Sequence, residues 1–211
     1  MTTKKQLRKW DSIKCPVHRK LSSNTENYLY AMFLLDEKNE KITASTLLEY
    51  IKLLPSSENL GTSLPTVTGM LKRMIRDHLI TKNKNNEIFL TEYGKISAKE
   101  QTKRFRLAGK FIHETLKIEL KDVFQEAHRL EHAMSQEVEN AIDKLLEYPV
   151  KDPFGQDIPG SQKLKTEKII PLSETSINKT YIISKMTLRK AREKCILPKM
   201  TSREAREEKT L

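Results

Sequence analysis

Residues 63–91 read SLPTVTGMLKRMIRDHLITKNKNNEIFLT, and this stretch decides the fold of the first part of the chain. Ser63 can cap a helix whose first turn accepts Pro65. The buried face of this helix is predicted from apolar residues at helical spacing, namely Val67, Met70, Leu71, Met74 and Ile75. Two short apolar runs then flank a polar tip at 83–86, which is the pattern of a β-hairpin. The stretch therefore predicts a helix followed by a hairpin.

Two further helices are predicted upstream. One runs from about Thr25 to Glu37, with Asn24 or Thr25 as its cap, and the other from about Ala44 to Leu54. Three helices followed by a hairpin make a winged helix-turn-helix, in which the third helix is the natural reader of a DNA major groove. The face of that helix opposite its apolar positions carries Thr66, Thr68, Gly69, Lys72, Arg73 and Arg76.

A second informative stretch, residues 125–134, reads QEAHRLEHAM. A helix predicted over about Leu120–Met134 places His128, Glu131 and His132 on one face, because residues at i, i+3 and i+4 are neighbours on a helix. Two imidazoles and a carboxylate suit a divalent transition metal, and without a thiolate the set does not single out zinc. The alternative is three solvated polar residues on an amphipathic helix.

Helices are also predicted on both sides of this stretch. A long one covers about Thr91–Leu116, with Phe105, Ala108, Phe111 and Ile112 as its buried positions. Ser135 can cap a later one, whose apolar residues recur at spacings of 3 and 4: Val138, Ala141, Ile142, Leu145 and Leu146. Such an apolar face at the end of a small domain must pack on something, and a partner subunit is a candidate.

The two ends of the chain have a different composition from the middle. Residues 1–22 are basic and predict a flexible arm, which either contacts nucleic acid or is only a solubilising tail. Asp152–Gly160 is predicted to be an ordered turn segment, and a polar linker follows it. Short strands near 169–172 and 181–183 and a basic tail complete the chain.

The bulk composition limits the classes of protein that fit. The 211 residues suffice for one or two domains, and the formal charge of +11 favours a polyanionic partner. No apolar run approaches the roughly 18 residues of a membrane span, and Trp10-Asp11-Ser12 interrupts the N-terminus before any signal-peptide core. Cys15 and Cys195 are far apart without a C-x-x-C motif, so a reducing cytoplasm is the expected compartment.

Several motifs, in their order and spacing, resemble the diphtheria toxin repressor family, the iron- and manganese-dependent transcriptional repressors of bacteria and archaea. They are TENYL at 25–29, PTVTGMLKRM at 65–74, LTEYG at 90–94, RLA at 106–108, EAHRLEHAMS at 126–135 and PFGQDIPG at 153–160. The likeness covers about residues 24–160 and, weakly, 169–186.

The resemblance implies a mainly α protein with several parts. A basic arm (1–22) precedes a winged helix-turn-helix DNA-binding domain (23–92) and a helical metal-binding and dimerisation domain (93–160). The remainder (161–211) is expected to be a linker, an incomplete SH3-like β segment and a basic tail, since the later strands of an SH3-like domain are missing from the sequence.

The resemblance also implies a set of metal ligands, which fall on Asn27, His128, Glu131 and His132. The family usually has Met or Asp at the position of Asn27, and Cys or Glu at that of His128. Its second, ancillary site is expected to be lost, because the matching positions hold Phe105, Gly109 and Phe124. We therefore expect one divalent metal per protomer, Mn²⁺ or Fe²⁺, although Zn²⁺, Co²⁺ or Ni²⁺ would bind as tightly in vitro.

For DNA, the glutamine that some members direct at a base edge corresponds to Gly69. Specificity is then expected from neighbouring residues, from the wing, or from DNA shape. The predicted DNA-contacting residues are Ser63, Pro65, Thr66, Thr68, Lys72, Arg73, Arg76 and, in the wing, Lys84. For at least two of the three basic residues of the helix, phosphate contact is favoured over base contact.

The resulting expectation is a homodimeric, metal-dependent repressor of metal-uptake genes that binds palindromic operators and has no enzymatic activity. One alternative is a metal-independent winged-helix regulator with a vestigial metal site. A second is a zinc metallopeptidase, because H-x-x-E-H is also a protease signature. Such proteases are generally longer chains and lack a winged helix.

Overall fold

The computed structural model describes residues 21–52, 61 and 63–161. Most of the basic arm, both cysteines, the predicted strands near 169–172 and 181–183 and the basic tail lie outside these residues. The chain divides into two compact units, residues 1–98 and 99–211. Among the described residues, no helix combines the length and apolar character that crossing a bilayer requires.

The N-terminal unit begins with three helices, which bear out the sequence prediction. They are α1 (Ser23–Glu37), α2 (Ala44–Ile51) and α3 (Leu64–Arg76). The cap of α1 is Ser22, whose side chain accepts a hydrogen bond from the Thr25 backbone N–H, so the prediction of Asn24 or Thr25 was wrong. Ser63 caps α3 as expected, with Pro65 in the first turn.

The hairpin predicted after α3 is present. Strands β1 (Ile80–Lys82) and β2 (Ile88–Leu90) pair antiparallel, with Thr81 opposite Phe89. At the tip, Asn83 Oδ1 accepts hydrogen bonds from the backbone N–H groups of Asn85 and Glu87. This side chain therefore closes the turn, which explains the asparagine-rich tip.

The buried face of α3 is narrower than predicted. Val67, Leu71 and Met74 are buried, whereas Met70 is half-buried and Ile75 is 39% exposed. The three buried residues follow the i, i+4, i+7 row, and Ile75 lies on the flank of that row. The prediction that Ile75 is buried was wrong.

Helix α4 (Glu92–Glu114) follows the hairpin directly. A Cβ atom on Gly94 would lie 1.9 Å from the carbonyl oxygen of Leu79, so only glycine fits at this point. Thr91 Oγ1 also donates to the carbonyl oxygen of His78, at 2.7 Å. These contacts fix the start of α4 against the beginning of β1.

The C-terminal unit contains most of α4 together with α5 (Leu120–Glu131) and α6 (Gln136–Leu145), the latter capped by Ser135 as predicted. Phe105, Ala108 and Ile112 are buried as expected, and Phe111 is only half-buried. On α6 only Ile142 of the predicted apolar face is buried, while Val138, Ala141 and Leu145 are exposed. An apolar face therefore remains uncovered on α6.

The predicted turn segment after α6 is ordered around Asp152. Its Oδ1 atom accepts hydrogen bonds from the backbone N–H groups of Phe154 and Gln156, and Lys151 pairs with Asp157 in an isolated bridge. Arg106 is 1% exposed, and its guanidinium donates to the carbonyl oxygen of Asp157. This contact anchors the segment to α4.

Candidate metal centre

The side chains of His128, Glu131 and His132 converge in the C-terminal unit, as the sequence predicted. One ligand atom of each lies within 4.8 Å of the others. Glu131 Oε1 lies 3.1 Å from His128 Nδ1 and 3.5 Å from His132 Nε2. Although α5 ends at Glu131, His132 keeps a right-handed helical backbone, so the i, i+3, i+4 spacing continues through it.

Burial distinguishes this cluster from a solvated helix face. The exposed fractions of the His128, Glu131 and His132 side chains are 0%, 1% and 15%. Polar and charged groups are costly to remove from water unless they are paired or bind a cation. The reading of three solvated polar residues is therefore wrong, and the donor set fits a divalent transition metal that accepts imidazole and carboxylate ligands.

Two aromatic rings enclose His128. The ring centroids of Phe105 and Phe124 lie 4.9 Å and 5.1 Å from that of His128, and 5.4 Å from each other. A Cβ atom on Gly109 would lie 3.4 Å from Val123 Cγ1, so this position is also closely packed. Phe105, Gly109 and Phe124 occupy the positions at which the ligands of the ancillary site are expected to be lost. These residues contribute apolar packing and offer no ligand atom.

Gln101 is part of this centre, and the sequence analysis did not identify it. Its side chain is buried, with 3% exposed, and its Nε2 atom donates a hydrogen bond to Glu131 Oε2. A signal was present, because Gln101 lies four residues before Phe105 on the row that continues through Ala108 and Ile112. A polar residue on an otherwise buried helical row requires a buried partner.

Asn27, the remaining predicted ligand, lies in α1 of the N-terminal unit and is fully buried. The adjacent Tyr28 is also fully buried, and burial raises the pKa of Tyr28 to about 12. The role of Asn27 as a metal ligand stays a prediction.

The predicted DNA-contacting residues of α3 share one surface. Ser63, Pro65, Thr66, Lys72, Arg73 and Arg76 are exposed. Thr68 is half-buried and donates to the carbonyl oxygen of Leu64 at 2.9 Å, and Ser63 Oγ lies 2.8 Å from Thr66 Oγ1. Lys84 is exposed at the hairpin tip.

Not all of these side chains are equally available to a ligand. Arg76 Nε lies 3.7 Å from Asp77 Oδ1, and Ser63 is the helix cap. Lys72 and Arg73 are both exposed. The surface carries positive charge and hydroxyl donors, which suits a phosphate backbone.

Residues 91–160 match the family model described as "Iron dependent repressor, metal binding and dimerisation domain". The chain is 32% identical over 144 residues to "Iron-dependent repressor IdeR" of Mycobacterium tuberculosis (strain ATCC 25618 / H37Rv), covering 68% of this chain and 59% of the relative. It is 31% identical over 144 residues to "Diphtheria toxin repressor" of Corynebacterium diphtheriae, covering 68% of this chain and 60% of the relative.

Among solved structures, the "manganese regulator SloR" matches with a TM-score of 0.56 at 29% identity, over 70% of this chain and 65% of that chain. A "manganese-dependent transcriptional repressor complex with manganese" matches with a TM-score of 0.58 at 27% identity, over 67% of this chain and 62% of that chain. The present chain thus spans about three fifths of the length of the curated relatives it matches.

Proposed function

The chain belongs to the diphtheria toxin repressor family, and we propose that it is a transcriptional regulator whose affinity for operator DNA depends on a divalent metal. The buried cluster of His128, Glu131 and His132 is the observation that carries this proposal. The same chain also contains a winged helix-turn-helix, so it would combine a metal sensor with a reader of DNA.

His128, Glu131 and His132 would hold the metal, and Asn27 is proposed as a further ligand from its position in the family pattern. When bound, the metal would supply positive charge that the Glu131 carboxylate offsets in part, while the two imidazoles would bind it as neutral lone-pair donors. Phe105 and Phe124 exclude water from one side of His128 and hold its ring in place. Neutral imidazoles are required, so metal binding competes with their protonation.

On the DNA side, the exposed face of α3 would enter the major groove and the hairpin tip would contact the backbone. Lys72, Arg73 and Lys84 would supply phosphate contacts, and the hydroxyl groups of Thr66 and Thr68 would face base edges. Gly69 is exposed and has no side chain to contribute. Sequence reading would therefore rest on hydroxyl contacts and on DNA shape.

A homodimer would set the distance between two recognition helices. The exposed apolar residues of α6 would form part of its interface, since residues 91–160 match a dimerisation domain. Half-sites read by a symmetric dimer lie about 34 Å apart or at multiples of that distance. Allosteric coupling of metal to DNA binding is typically about 1–3 kcal/mol, a change in affinity of roughly 5- to 150-fold.

We further propose Mn²⁺ or Fe²⁺ as the physiological metal, with genes of metal uptake as targets and the cytoplasm as the compartment. The relatives carry iron or manganese in their names, and the donor set without sulfur suits both ions. Zn²⁺, Co²⁺ and Ni²⁺ are expected to bind in vitro. We assign no catalytic role to the H-x-x-E-H residues.

The decisive experiment is fluorescence anisotropy of the full chain on its own upstream DNA, at fixed salt, with chelator and then with Mn²⁺, Fe²⁺ or Zn²⁺. We expect affinity to rise with metal and His132→Ala to abolish the rise. His113→Ala is the matched control, because His113 lies in the same unit but outside the cluster, with its Nδ1 atom 2.9 Å from the Ile118 carbonyl oxygen. Tight binding that ignores metal would instead identify a regulator with a vestigial site.

A separate assay addresses the enzymatic alternative. The zinc-loaded chain is incubated with unstructured peptide substrates, and fragments are sought by mass spectrometry. We expect no hydrolysis. Cleavage that requires Glu131 would show that the protein is a metallopeptidase instead of a regulator.

A further inference from the structure

The two oxygens of the buried Glu131 carboxylate have different surroundings. Oε1 faces the imidazoles, at 3.1 Å from His128 Nδ1 and 3.5 Å from His132 Nε2. Oε2 accepts a hydrogen bond from Gln101 Nε2. We propose that Gln101 is a positioning residue that presents Glu131 to the metal through one oxygen and thereby sets the metal preference of the centre. This inference rests on the proposed function, in which these residues bind metal.

Packing alone does not account for Gln101. The side chain is 3% exposed, and its neighbours on the same row of α4, Phe105 and Ala108, are apolar and buried. A buried amide without a hydrogen bond destabilises the folded state. A leucine or methionine would fill the same space without that cost. The amide therefore has its reason in the partner it donates to.

The direction of the hydrogen bond matters for the metal. An amide N–H can only donate, so it fixes Oε2 as an acceptor and opposes rotation of the carboxylate. A partner of this kind, one step removed from the metal, typically changes metal affinity by about 10- to 100-fold when it is lost. Gln101 acts here through Glu131 and is not itself counted as a ligand.

The same contact affects which ion is preferred. Ions that favour many oxygen ligands, such as Mn²⁺, bind more tightly when a carboxylate coordinates through both oxygens. Zn²⁺ and Co²⁺ accept fewer ligands and bind well to imidazole. Because Oε2 is engaged by Gln101, binding through both oxygens is disfavoured. Removing the amide is expected to weaken Co²⁺ binding more than Mn²⁺ binding.

The test measures the affinity of the full-length chain for Mn²⁺ and, in a separate titration, for Co²⁺. Both affinities are measured for the wild type and for Gln101→Met. Methionine keeps the length and volume of glutamine and removes the donor. Gln101→Asn is a second variant, since it keeps the amide and is one methylene too short to reach. Gln136→Met is the matched control, because Gln136 is exposed on α6 and bonds Asn140.

We expect both Gln101 variants to lose about 10- to 100-fold in Co²⁺ affinity, with a smaller loss for Mn²⁺ and a changed visible absorption spectrum of the Co²⁺ complex. Melting of the metal-free protein reports folding separately. An unchanged ratio of the two affinities in the folded variants would overturn the inference, whatever happens to stability. A wild-type chain that binds neither ion would overturn the proposed function as well, so the two failures are distinguishable.

Discussion

The phenyl ring of Phe105 packs against the imidazole of His128, with ring centroids 4.9 Å apart and planes inclined by 54°. By the family resemblance, Phe105 occupies a position at which iron-responsive members are expected to have a ligand of the ancillary metal site. In this chain the Phe105 ring instead packs against His128, a proposed ligand of the first site. Aromatic contacts of this kind contribute about 0.5–1.5 kcal/mol beyond the area they bury.

Phe105→Ala is expected to destabilise the protein and weaken metal binding together. Removing a buried phenylalanine typically costs about 3–5 kcal/mol, and His128 would lose one of the two rings that hold it. Urea denaturation measures the first effect, and metal titration of the folded variant measures the second. Phe89→Ala is the control, because Phe89 is 47% exposed. Metal affinity unaffected by Phe105→Ala would argue against a positioning role for the ring.

Glu131→Gln should remove the stabilisation that metal gives to the folded state. A ligand at 100 times its dissociation constant stabilises by about 2.7 kcal/mol, which calorimetry detects as a rise in Tm. We expect that rise in the wild type and not in the variant, because an amide cannot replace the carboxylate charge. Glu126→Gln, on the same helix and paired with Arg129 at 2.6 Å, should retain the full rise. Equal shifts in all three proteins would exclude Glu131 as a ligand.

Lys103 is expected to make the stability of the fold depend on pH. Burial disfavours its charged form, but hydrogen bonds and ion pairs with Asp143 and Glu139 outweigh burial and raise the pKa of Lys103. The two Nζ–oxygen distances are 3.0 Å to Asp143 and 3.2 Å to Glu139. A raised pKa contributes stability that is complete below the unfolded lysine value of about 10.4 and is lost as pH rises through the folded value.

We therefore expect Lys103→Met to lower stability at pH 8 and to flatten the decline above pH 10. Denaturant titrations at several pH values would measure this, with the exposed Lys99→Met as control. Parallel declines in wild type and Lys103→Met would show that the ion pairs with α6 do not stabilise the fold.

Lys72→Ala is expected to weaken binding to operator and to unrelated DNA by a similar factor, because the contact proposed for Lys72 is with phosphate. The slope of log affinity against log salt should fall by about 1. Anisotropy titrations over a range of salt concentrations give this slope, and Lys41→Ala, which alters an exposed lysine before α2, should leave it unchanged. A loss confined to the operator sequence would assign Lys72 to base reading instead.

Leu145→Glu should dissociate the proposed homodimer. Leu145 is 61% exposed on α6, and burial of a charge in an apolar interface is costly. Sedimentation equilibrium of the variant should give the mass of one chain, while Lys144→Glu at the neighbouring exposed position should remain dimeric. A dimeric Leu145→Glu would place the interface elsewhere.

Features that depend on local sequence were predictable. The cap Ser63, the helix α3 and the hairpin depend on neighbouring residues, and the structure confirms each, although the periodicity of α3 assigned Ile75 wrongly to the buried face. The cap of α1 was missed because Ser22 belongs to a run of four residues, 22–25, that can all cap a helix. Neighbouring side chains of equal propensity leave the boundary undecided.

Features that depend on distant residues were not predictable. Arg106 is buried because its guanidinium donates to the carbonyl oxygen of Asp157, 51 positions away, and no local sequence pattern indicates this partner. The buried row of α4 indicated that Gln101 needs a buried partner, but the partner itself was not predictable, since Glu131 lies 30 positions along the chain. The cluster of His128, Glu131 and His132 was predictable because helical spacing alone brings these side chains together.

The aromatic packing at Phe105 and Phe124 has a consequence for how the chain would report metal in a cell. A protomer whose response requires metal in two centres does not respond at low metal concentrations. It responds only when both centres are occupied. A protomer with a single centre has one threshold, fixed by one dissociation constant. Any steepness in its response would then have to arise between subunits, and the dose–response curve of an isolated protomer would be hyperbolic.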